Sequence, residues 1–412
     1  MPDVVFLIGS GVSCGADLPG TKEITKALLQ PLRGPAASEY EHRLGQYVAL
    51  LTDEVRSVNR TLGRGRHVNY EELAYLCRQI QDSAVGEFEN PAVSALHEKL
   101  ARRLSRSSAF QDEIHLNGSS RSAHFREEVL DLSEEIYSRT EQVLSQELDK
   151  AATRPDPFKP LLAASLDEQV SLDVFTLNHD CLIEQMWGEH GIDFEDGFRP
   201  VAEVNSASFL ARTPQIKAWD RAAYGRSQKR ISLAKLHGSL DWWSYPNTGV
   251  EYLPPQKVAG DPSHIDDPRP RGQQSRQRWL LPPDRLLLIG TFNKMLAQAR
   301  GDAFLDLLCL FRGRLQETNA LVISGYGFGD KGINGVILEW LSHPGNRACW
   351  IEPRLKATLE NARPTIWALE RAGERGQLTI LRERFARASW RTIRRRLGLN
   401  RKAKASGSRA AE

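Results

Sequence analysis

Apolar runs that end abruptly in small residues constrain the fold of this 412-residue chain more than any other feature. Residues 4–8 form a continuous β-branched and aromatic run that stops at Gly9-Ser10-Gly11, and residues 21–29 then show helical spacing. Such continuous apolar runs are typical of strands that are buried on both faces, as in parallel sheets. The opening segment therefore predicts a strand, a glycine turn and a helix.

The same pattern recurs further along the chain. Apolar runs predict strands at 171–177, 231–236, 320–324 and 348–351, and helical segments lie among them. Strands that alternate with helices form parallel sheets, and the ligands of such sheets bind beyond the carboxyl ends of the strands. We therefore predict an α/β fold with a Rossmann-like doubly wound parallel sheet.

The chain is long enough for more than one compact unit, because single cores stop growing at about 250–300 residues. Residues 36–170 are rich in Glu, Arg, Leu and Ala at helical spacing, which predicts a large helical insertion. We expect residues 1–35 and 171–380 to form the α/β domain, and residues 381–412 to form a basic C-terminal helix and tail. Residues 246–283 are dense in Pro, Gly, Arg and Asp, which favours a long loop.

Charge and cysteine content bear on several functional classes. The formal net charge of +3 does not by itself indicate nucleic-acid binding, although the basic run at 382–404 leaves contact with nucleic acid or an acidic partner open. The five cysteines are scattered without a CxxC pair, so we expect free thiols and no metal site. The N-terminal residues lack the features of a secretion signal, and no apolar run reaches the roughly 20 residues of a membrane helix. We therefore expect a cytoplasmic protein without membrane association.

The glycine turn after the first strand is a candidate phosphate-binding loop. Gly9 and Gly11 are spaced as in a dinucleotide fingerprint, whereas Gly15 lies one residue later than that fingerprint requires. Glycines let backbone amides approach a pyrophosphate closely, and the following helix N-terminus favours negative charge. The alternative is a tight turn with a structural role only.

Polar residues that directly follow the next two strands are candidates for chemistry. Asn178 and Asp180 follow the second predicted strand, and His237 follows the third. Histidine ordinarily has a pKa near neutral pH, so His237 is a candidate general acid or base. The alternatives are an Asx turn with a helix cap at Asn178 or Asp180, and a structural role for the histidine.

Four segments together resemble the sirtuin family, in particular its bacterial branch of sirtuin-like NAD hydrolases from antiphage defence. GSGVSCGADLP at 9–19 is similar to the family's GAGxSxxxGIP. FTLNHDCLIE at 175–184 and KLHGSLDWW at 235–243 resemble the branch's TxNYDxLIE and LHGSLxW. VISGYGFGDKGIN at 322–334 resembles its late G-aromatic-x-FxD-xxIN segment. The four segments occur in the family's order.

The resemblance implies roles for ten residues. Asn178 would position the ribose next to nicotinamide and the attacking water, and His237 would act as general base. Asp180 would support the nicotinamide end. The remaining residues implied to bind NAD are Gly9, Ser10, Gly11, Ser13, Ser324, Gly325 and Glu352.

Two departures separate the chain from deacylase sirtuins. Gly20-Thr21 stands where those enzymes have a Phe-Arg pair, and the first cysteine after His237 is Cys309, which leaves no four-cysteine zinc module. The resemblance therefore favours hydrolysis of NAD to ADP-ribose and nicotinamide, depleting NAD in antiphage defence by abortive infection. The alternatives are an NAD-dependent ADP-ribosyltransferase or deacylase, and a non-catalytic NAD-binding subunit.

Partners follow from the resemblance alone. It implies a homo-oligomer and, as beside some relatives, a hexameric ATPase partner. No residue in the sequence discriminates NAD from its phosphorylated form.

Overall fold

The computed structural model describes residues 3–33, 38–61, 63, 68–84, 90–106, 121–149, 156–204, 216–244, 254–258, 284–289, 302–355 and 365–399. The chain divides into two compact units. The larger unit comprises Met1–Asp17, Ala152–Leu287 and Gln298–Glu412, and the smaller unit comprises Leu18–Ala151 and Leu288–Ala297.

The described strands all belong to the larger unit. In chain order they are β1 (Asp3–Ile8), β2 (Ser171–Thr176), β3 (Phe198–Pro200), β4 (Ile216–Trp219), β5 (Ile231–Lys235), β6 (Gly238–Ser244), β7 (Gln256–Val258), β8 (Asp284–Leu287), β9 (Ala320–Ser324), β10 (Arg347–Ile351) and β11 (Leu378–Leu381).

The described helices are distributed over both units. In chain order they are α1 (Ser10–Ser13), α2 (Thr21–Leu29), α3 (Glu39–Thr61), α4 (Tyr70–Ala84), α5 (Pro91–Leu104), α6 (Arg121–Asp149), α7 (Lys159–Ser165), α8 (Leu182–Glu189), α9 (Val201–Val204), α10 (Ala223–Arg226), α11 (Asp302–Glu317), α12 (Lys331–Leu341), α13 (Ile366–Glu374) and α14 (Trp390–Leu397).

A six-stranded, all-parallel sheet flanked by helices forms the centre of the larger unit. Its strand order is β11-β10-β9-β1-β2-β5, so the order of the chain reverses between β9 and β1. Ile8, at the end of β1, is level with Thr176 on one side and Ser324 on the other. The α/β class and the predicted parallel strands are confirmed, and the architecture is compatible with a Rossmann-like fold.

The buried apolar runs explain why these strands lie in the middle of the sheet. Residues 4–8 of β1 have no exposed surface, and residues 320–323 of β9 likewise have none. Strands without a solvated face occur where helices cover both sides of a parallel sheet. The sequence pattern and the packing therefore agree at these strands.

A second, antiparallel sheet was not predicted. Its strand order is β3-β4-β7-β6-β8, and its strands are three to seven residues long. Its core includes Phe198, Trp219 and Trp242, whose ring centroids lie 4.9–6.1 Å apart. Strand β7 falls within residues 246–283, which were predicted to be a loop, and of that segment only residues 254–258 are described. Leu236 and His237 alone separate β5 in the parallel sheet from β6 in the antiparallel sheet.

The smaller unit contains helices α2 to α6 and has its own hydrophobic core. The predicted apolar face of α4 is buried there through Leu73, Cys77 and Ile80. Tyr47 is also buried, and its hydroxyl group lies 2.6 Å from the hydroxyl group of Ser133. Burial raises the pKa of the Cys77 thiol above its usual value, so this thiol is neutral at physiological pH.

Helix α14 forms part of the basic C-terminal segment, which packs on the larger unit. The ring of Trp390 lies 5.9 Å from that of Phe6, and Ile393 is fully buried. The indole N–H of Trp390 donates a 2.8 Å hydrogen bond to Asp167, and Arg394 contacts the same carboxylate oxygen at 2.5 Å. The segment 381–412 was predicted to be a basic helix and tail, and its residues 400–412 lie outside the described residues. Among the described residues, no helix has the length and apolar character needed to span a membrane.

Candidate functional site

Nine of the ten predicted site residues follow strands of the parallel sheet, and the tenth, Ser324, is the last residue of β9. They lie on the segments that begin at the carboxyl ends of β1, β2, β5, β9 and β10. Because these strands are parallel, their carboxyl ends meet at one edge of the sheet. The topology therefore brings sequence-distant candidates to the same edge.

The glycine turns after β1 and β9 pack against each other through their backbones. The amide of Gly9 donates to the carbonyl of Ser324 at 2.9 Å, and that of Gly11 donates to Gly325 at 3.0 Å. A Cβ atom on Gly9 would overlap the Gly325 carbonyl. Gly325 itself has φ +66°, and a Cβ there would lie 2.5 Å from the backbone of Gly9 and Val12. The turns thus require glycine for packing as well as for conformation.

Asn178 links the loop after β2 to the loop after β1. Its side-chain amide donates a 2.7 Å hydrogen bond to the hydroxyl group of Ser13, and its backbone amide donates to Thr176. Asn178 is 4% exposed, and no described residue donates a hydrogen bond to its buried Oδ1. An unpaired buried acceptor costs about 1–3 kcal/mol, and a donor from a ligand or a water would remove that cost.

His237 is held by a carboxylate from another loop. Its Nε2 lies 3.3 Å from Asp330 Oδ2. The side chains of His237 and Asp330 are only 9% and 16% exposed. The other oxygen of Asp330 accepts hydrogen bonds from the amides of Gly332 and Ile333 and caps helix α12. A carboxylate so fixed can orient the imidazole through this contact.

Residues 177–181, between β2 and α8, form the Asn178 loop. This loop lies next to the segment that carries His237. The rings of His179 and His237 lie 6.4 Å apart, and the amide of Leu240 donates a 3.0 Å hydrogen bond to the carbonyl of His179. The loops after β1, β2, β5 and β9 are therefore joined into a closed ring of contacts. Asn178 and His237, 59 residues apart in sequence, belong to the same cluster.

Several predicted site residues also have local structural roles. Asp180 Oδ1 accepts a hydrogen bond from the amide of Leu182 at 3.2 Å, which is the turn-forming alternative for this residue. The hydroxyl group of Ser324 donates to the carbonyl of Ile351 at 3.1 Å. Glu352 Oε1 accepts from the amide of Arg354 at the end of β10. Ser10, at the start of α1, is exposed.

Two further residues of this cluster were not predicted. Asp330 could have been predicted as a helix cap, but its contact with His237 spans 93 residues. Lys235 is fully buried and contacts Glu184 at 3.0 Å. Burial lowers the pKa of Lys235, but nearby Cys181 and Glu184 raise it above its usual value. Because burial raises the pKa of Cys181 to about 12, its thiol is neutral at pH 7 and Glu184 supplies the negative charge.

A polar cavity of about 190 Å³ lies elsewhere, at the opposite edge of the sheet. Asp3 and Ser171, which begin β1 and β2, are among its lining residues. None of the ten predicted site residues lines it. Ligand pockets usually have volumes of about 300–1,000 Å³, so this cavity is small for a dinucleotide.

The described residues contain no group of three or more His, Cys, Asp or Glu side chains that could hold a metal ion. In comparisons with known proteins, no family model matches the chain and no curated protein matches it. The resemblance of the four motifs to sirtuin-like enzymes therefore stays a prediction.

Proposed function

We propose that this protein is an NAD hydrolase that cleaves the bond between nicotinamide and ribose. The observation that carries the proposal is the closed ring of loops, which joins a glycine turn, a buried asparagine and a carboxylate-bound histidine at one edge of a parallel sheet. Dinucleotides bind parallel α/β sheets at this edge, near the strands where the order reverses. The four sequence motifs support the same function.

The reaction needs few groups. Heterolysis of the glycosidic bond leaves its electron pair on the ring nitrogen of nicotinamide, which departs as a neutral molecule. The ribose carbon becomes cationic, a water oxygen bonds to it, and the water loses one proton. The protein has to orient the sugar, admit one water and accept that proton.

Asn178 is suited to the orienting role. An amide side chain can donate and accept hydrogen bonds without gaining charge. Its Nδ2 is occupied by Ser13, which fixes the direction of the side chain, and the buried Oδ1 can accept from a ribose hydroxyl or from water. This unpaired acceptor fits a hydroxyl-rich ligand.

His237 is suited to the proton-accepting role. The imidazole of His237, held with its Nε2 at 3.3 Å from Asp330 Oδ2, can take the proton of the attacking water. The positive charge that then forms on the imidazole is stabilised by the Asp330 carboxylate. The glycine turns, Ser10 and Ser13 would face the phosphates and the adjoining ribose, and Glu352 would accept from a ribose hydroxyl.

The biological setting of the proposal rests on the motif resemblance. NAD depletion by such an enzyme would stop growth of an infected cell, so the activity would need a trigger. A homo-oligomer and a hexameric ATPase partner belong to the same proposal.

Replacement of His237 gives the first prediction. Removal of a general base should lower the rate of nicotinamide release from NAD by about 10²–10⁴-fold. The measurement is chromatographic separation of nicotinamide and ADP-ribose after incubation of purified parent and His237→Ala protein with NAD. His343→Ala, at an exposed histidine of the same unit, is the matched control and should keep the parent rate.

Other outcomes would contradict the proposal in distinct ways. Equal rates for the parent and His237→Ala would remove the histidine from the mechanism. Labelled ADP-ribose attached to protein or nucleic acid would indicate a transferase. Binding of NAD without any release of nicotinamide would indicate a non-catalytic NAD-binding subunit.

A further inference from the structure

Lys235 and Glu184 form a buried ion pair that the proposed hydrolysis does not use. Lys235 is 2% exposed, and its Nζ lies 3.0 Å from Glu184 Oε1. Lys235 ends strand β5, two residues before His237, whereas Glu184 lies in helix α8, directly after the loop of Asn178. The pair thus connects the two segments that carry the proposed catalytic residues.

The lysine also holds the backbone of the Asn178 loop. Its Nζ donates to the carbonyl of Asp180 at 2.5 Å and lies 3.4 Å from the carbonyl of His179. The hydroxyl group of Ser239 lies 3.4 Å from the same His179 carbonyl. The peptide carbonyls of residues 179 and 180 are therefore contacted by side chains from β5 and β6.

Stability is a weak explanation for this pair. Removal of two charges from water costs several kcal/mol per ion, and replacement of a buried pair by apolar residues is often neutral or stabilising. Hydrogen bonds from a charged donor are short, directional and about twice as strong as neutral ones. A buried ammonium group that donates to a carboxylate and to a peptide carbonyl therefore defines a position better than an apolar side chain does.

We infer that Lys235 is a positioning residue: anchored by Glu184, it holds the carbonyl of Asp180 and thereby sets the place of Asn178 relative to His237. The inference rests on the proposed function. Lys235 and Glu184 each lie in one of the motif segments, at 235–243 and 175–184. The proposed hydrolysis gives neither residue a role, whereas this inference gives both a role in positioning.

A second lysine of the same unit, half-buried and also paired with carboxylates, provides a control. Lys257, on strand β7, lies 3.0 Å from Asp196 and 3.2 Å from Asp241. Of its two partners, Asp241 lies on β6 and Asp196 precedes β3, and neither ion pair includes a carbonyl of the Asn178 loop. Loss of Lys257 should leave the hydrogen bond from Lys235 to the Asp180 carbonyl in place.

The experiment compares two double variants that each replace a lysine and one of its carboxylate partners by neutral side chains. In Lys235→Met/Glu184→Gln we expect kcat for nicotinamide release to fall about 10²-fold with little change in KM, because small displacements of reacting groups cost about that much. In Lys257→Met/Asp196→Asn we expect kcat to stay at the parent value. Tryptophan emission during urea unfolding checks that both variants fold.

Amide hydrogen exchange supplies a readout that does not depend on activity. Peptides covering residues 177–185 should exchange faster in Lys235→Met/Glu184→Gln than in the parent, and the Lys257 double variant should not show this change. Unchanged exchange in that segment, or equal losses of kcat in both double variants, would overturn the inference. If the parent itself releases no nicotinamide, the proposed function fails, while the exchange measurement still decides whether Lys235 holds the loop.

Discussion

Gly325 determines how closely the loops after β1 and β9 approach each other. Its φ of +66° suits glycine, and its Cα faces the backbone of Gly9 and Val12 without room for a side chain. Gly9 and Gly11 are tied to the same loop by backbone hydrogen bonds. The glycines of the candidate phosphate loop therefore have a packing role whatever ligand they contact.

Gly325→Ala should destabilise the larger unit. The new methyl group would meet backbone atoms on two sides and an unfavourable backbone angle, so we expect the free energy of unfolding to fall by more than about 1 kcal/mol. Urea unfolding followed by tryptophan emission measures the change. Gly335 is exposed inside α12 and has open space around it. In Gly335→Ala the free energy of unfolding should instead rise by about 0.5–1 kcal/mol. An unchanged free energy of unfolding in Gly325→Ala would contradict the close packing of the two loops.

At the scale of elements, helix α14 is fixed to the sheet by both apolar and charged contacts. Trp390, Ile393 and Leu397 are buried, whereas Arg391, Arg395 and Arg396 are exposed. The helix is tied through Trp390 and Arg394 to Asp167, which precedes β2. The basic C-terminal segment is thus an integral part of the larger unit as far as residue 399.

The contact of α14 with Asp167 predicts a pH dependence of stability. Burial acts to raise the pKa of the Asp167 carboxyl, but hydrogen bonds from Trp390 and from the Gln169 backbone, together with Arg394, hold it below its usual value. A depressed carboxyl pKa stabilises the fold above the unfolded pKa of about 3.9, and the contribution is lost as the pH falls through the lower folded pKa.

The measurement is urea unfolding of the parent and Asp167→Asn at several pH values. The parent should be the more stable protein at pH 6, and the difference should shrink below about pH 4. Asp193→Asn, at a carboxylate that is 79% exposed, is the control and should show a smaller difference throughout. A difference between parent and Asp167→Asn that stays constant down to pH 2 would be inconsistent with the assignment.

At the scale of the whole molecule, the two compact units have separate hydrophobic cores. All nine tryptophans lie in the chain segments of the larger unit, so tryptophan emission reports on that unit alone. Far-UV circular dichroism, in contrast, records the helices of both units. The two signals can therefore separate the unfolding of one unit from that of the other.

Leu132→Ala tests whether the units unfold separately. Leu132 is fully buried in the core of the smaller unit, and truncation of such a side chain typically costs about 2–5 kcal/mol. We expect the dichroism signal to show an earlier transition while the tryptophan transition stays in place. Equal shifts of both signals would mean that the chain unfolds as one cooperative structure.

Sequence reasoning was most successful where burial is continuous. The runs at 4–8 and 320–324 are apolar throughout, so they identified strands of the parallel sheet, and parallel topology then placed Asn178 and His237 at one edge. The antiparallel sheet escaped prediction because strands as short as β3 and β7 carry too few residues to show a period.

Contacts between residues far apart in the sequence could not be predicted from the sequence either. Asp330 meets His237 across 93 residues, and only the folded chain brings them together. Lys235 looks like a solvated charge at the end of a strand, since lysine is almost never fully buried unless it is paired. Its partner, Glu184, lies in a different motif, and no local pattern connects the two.

The short connection between β5 and β6 restricts the movement of His237. Two residues bridge the parallel and antiparallel sheets, and Gly238, the first residue of β6, is packed so tightly on Leu286 that a Cβ atom would overlap its carbonyl. A displacement of the antiparallel sheet would thus carry the imidazole with it. Any shift of that sheet would consequently also alter the 3.3 Å contact between the imidazole and the Asp330 carboxylate.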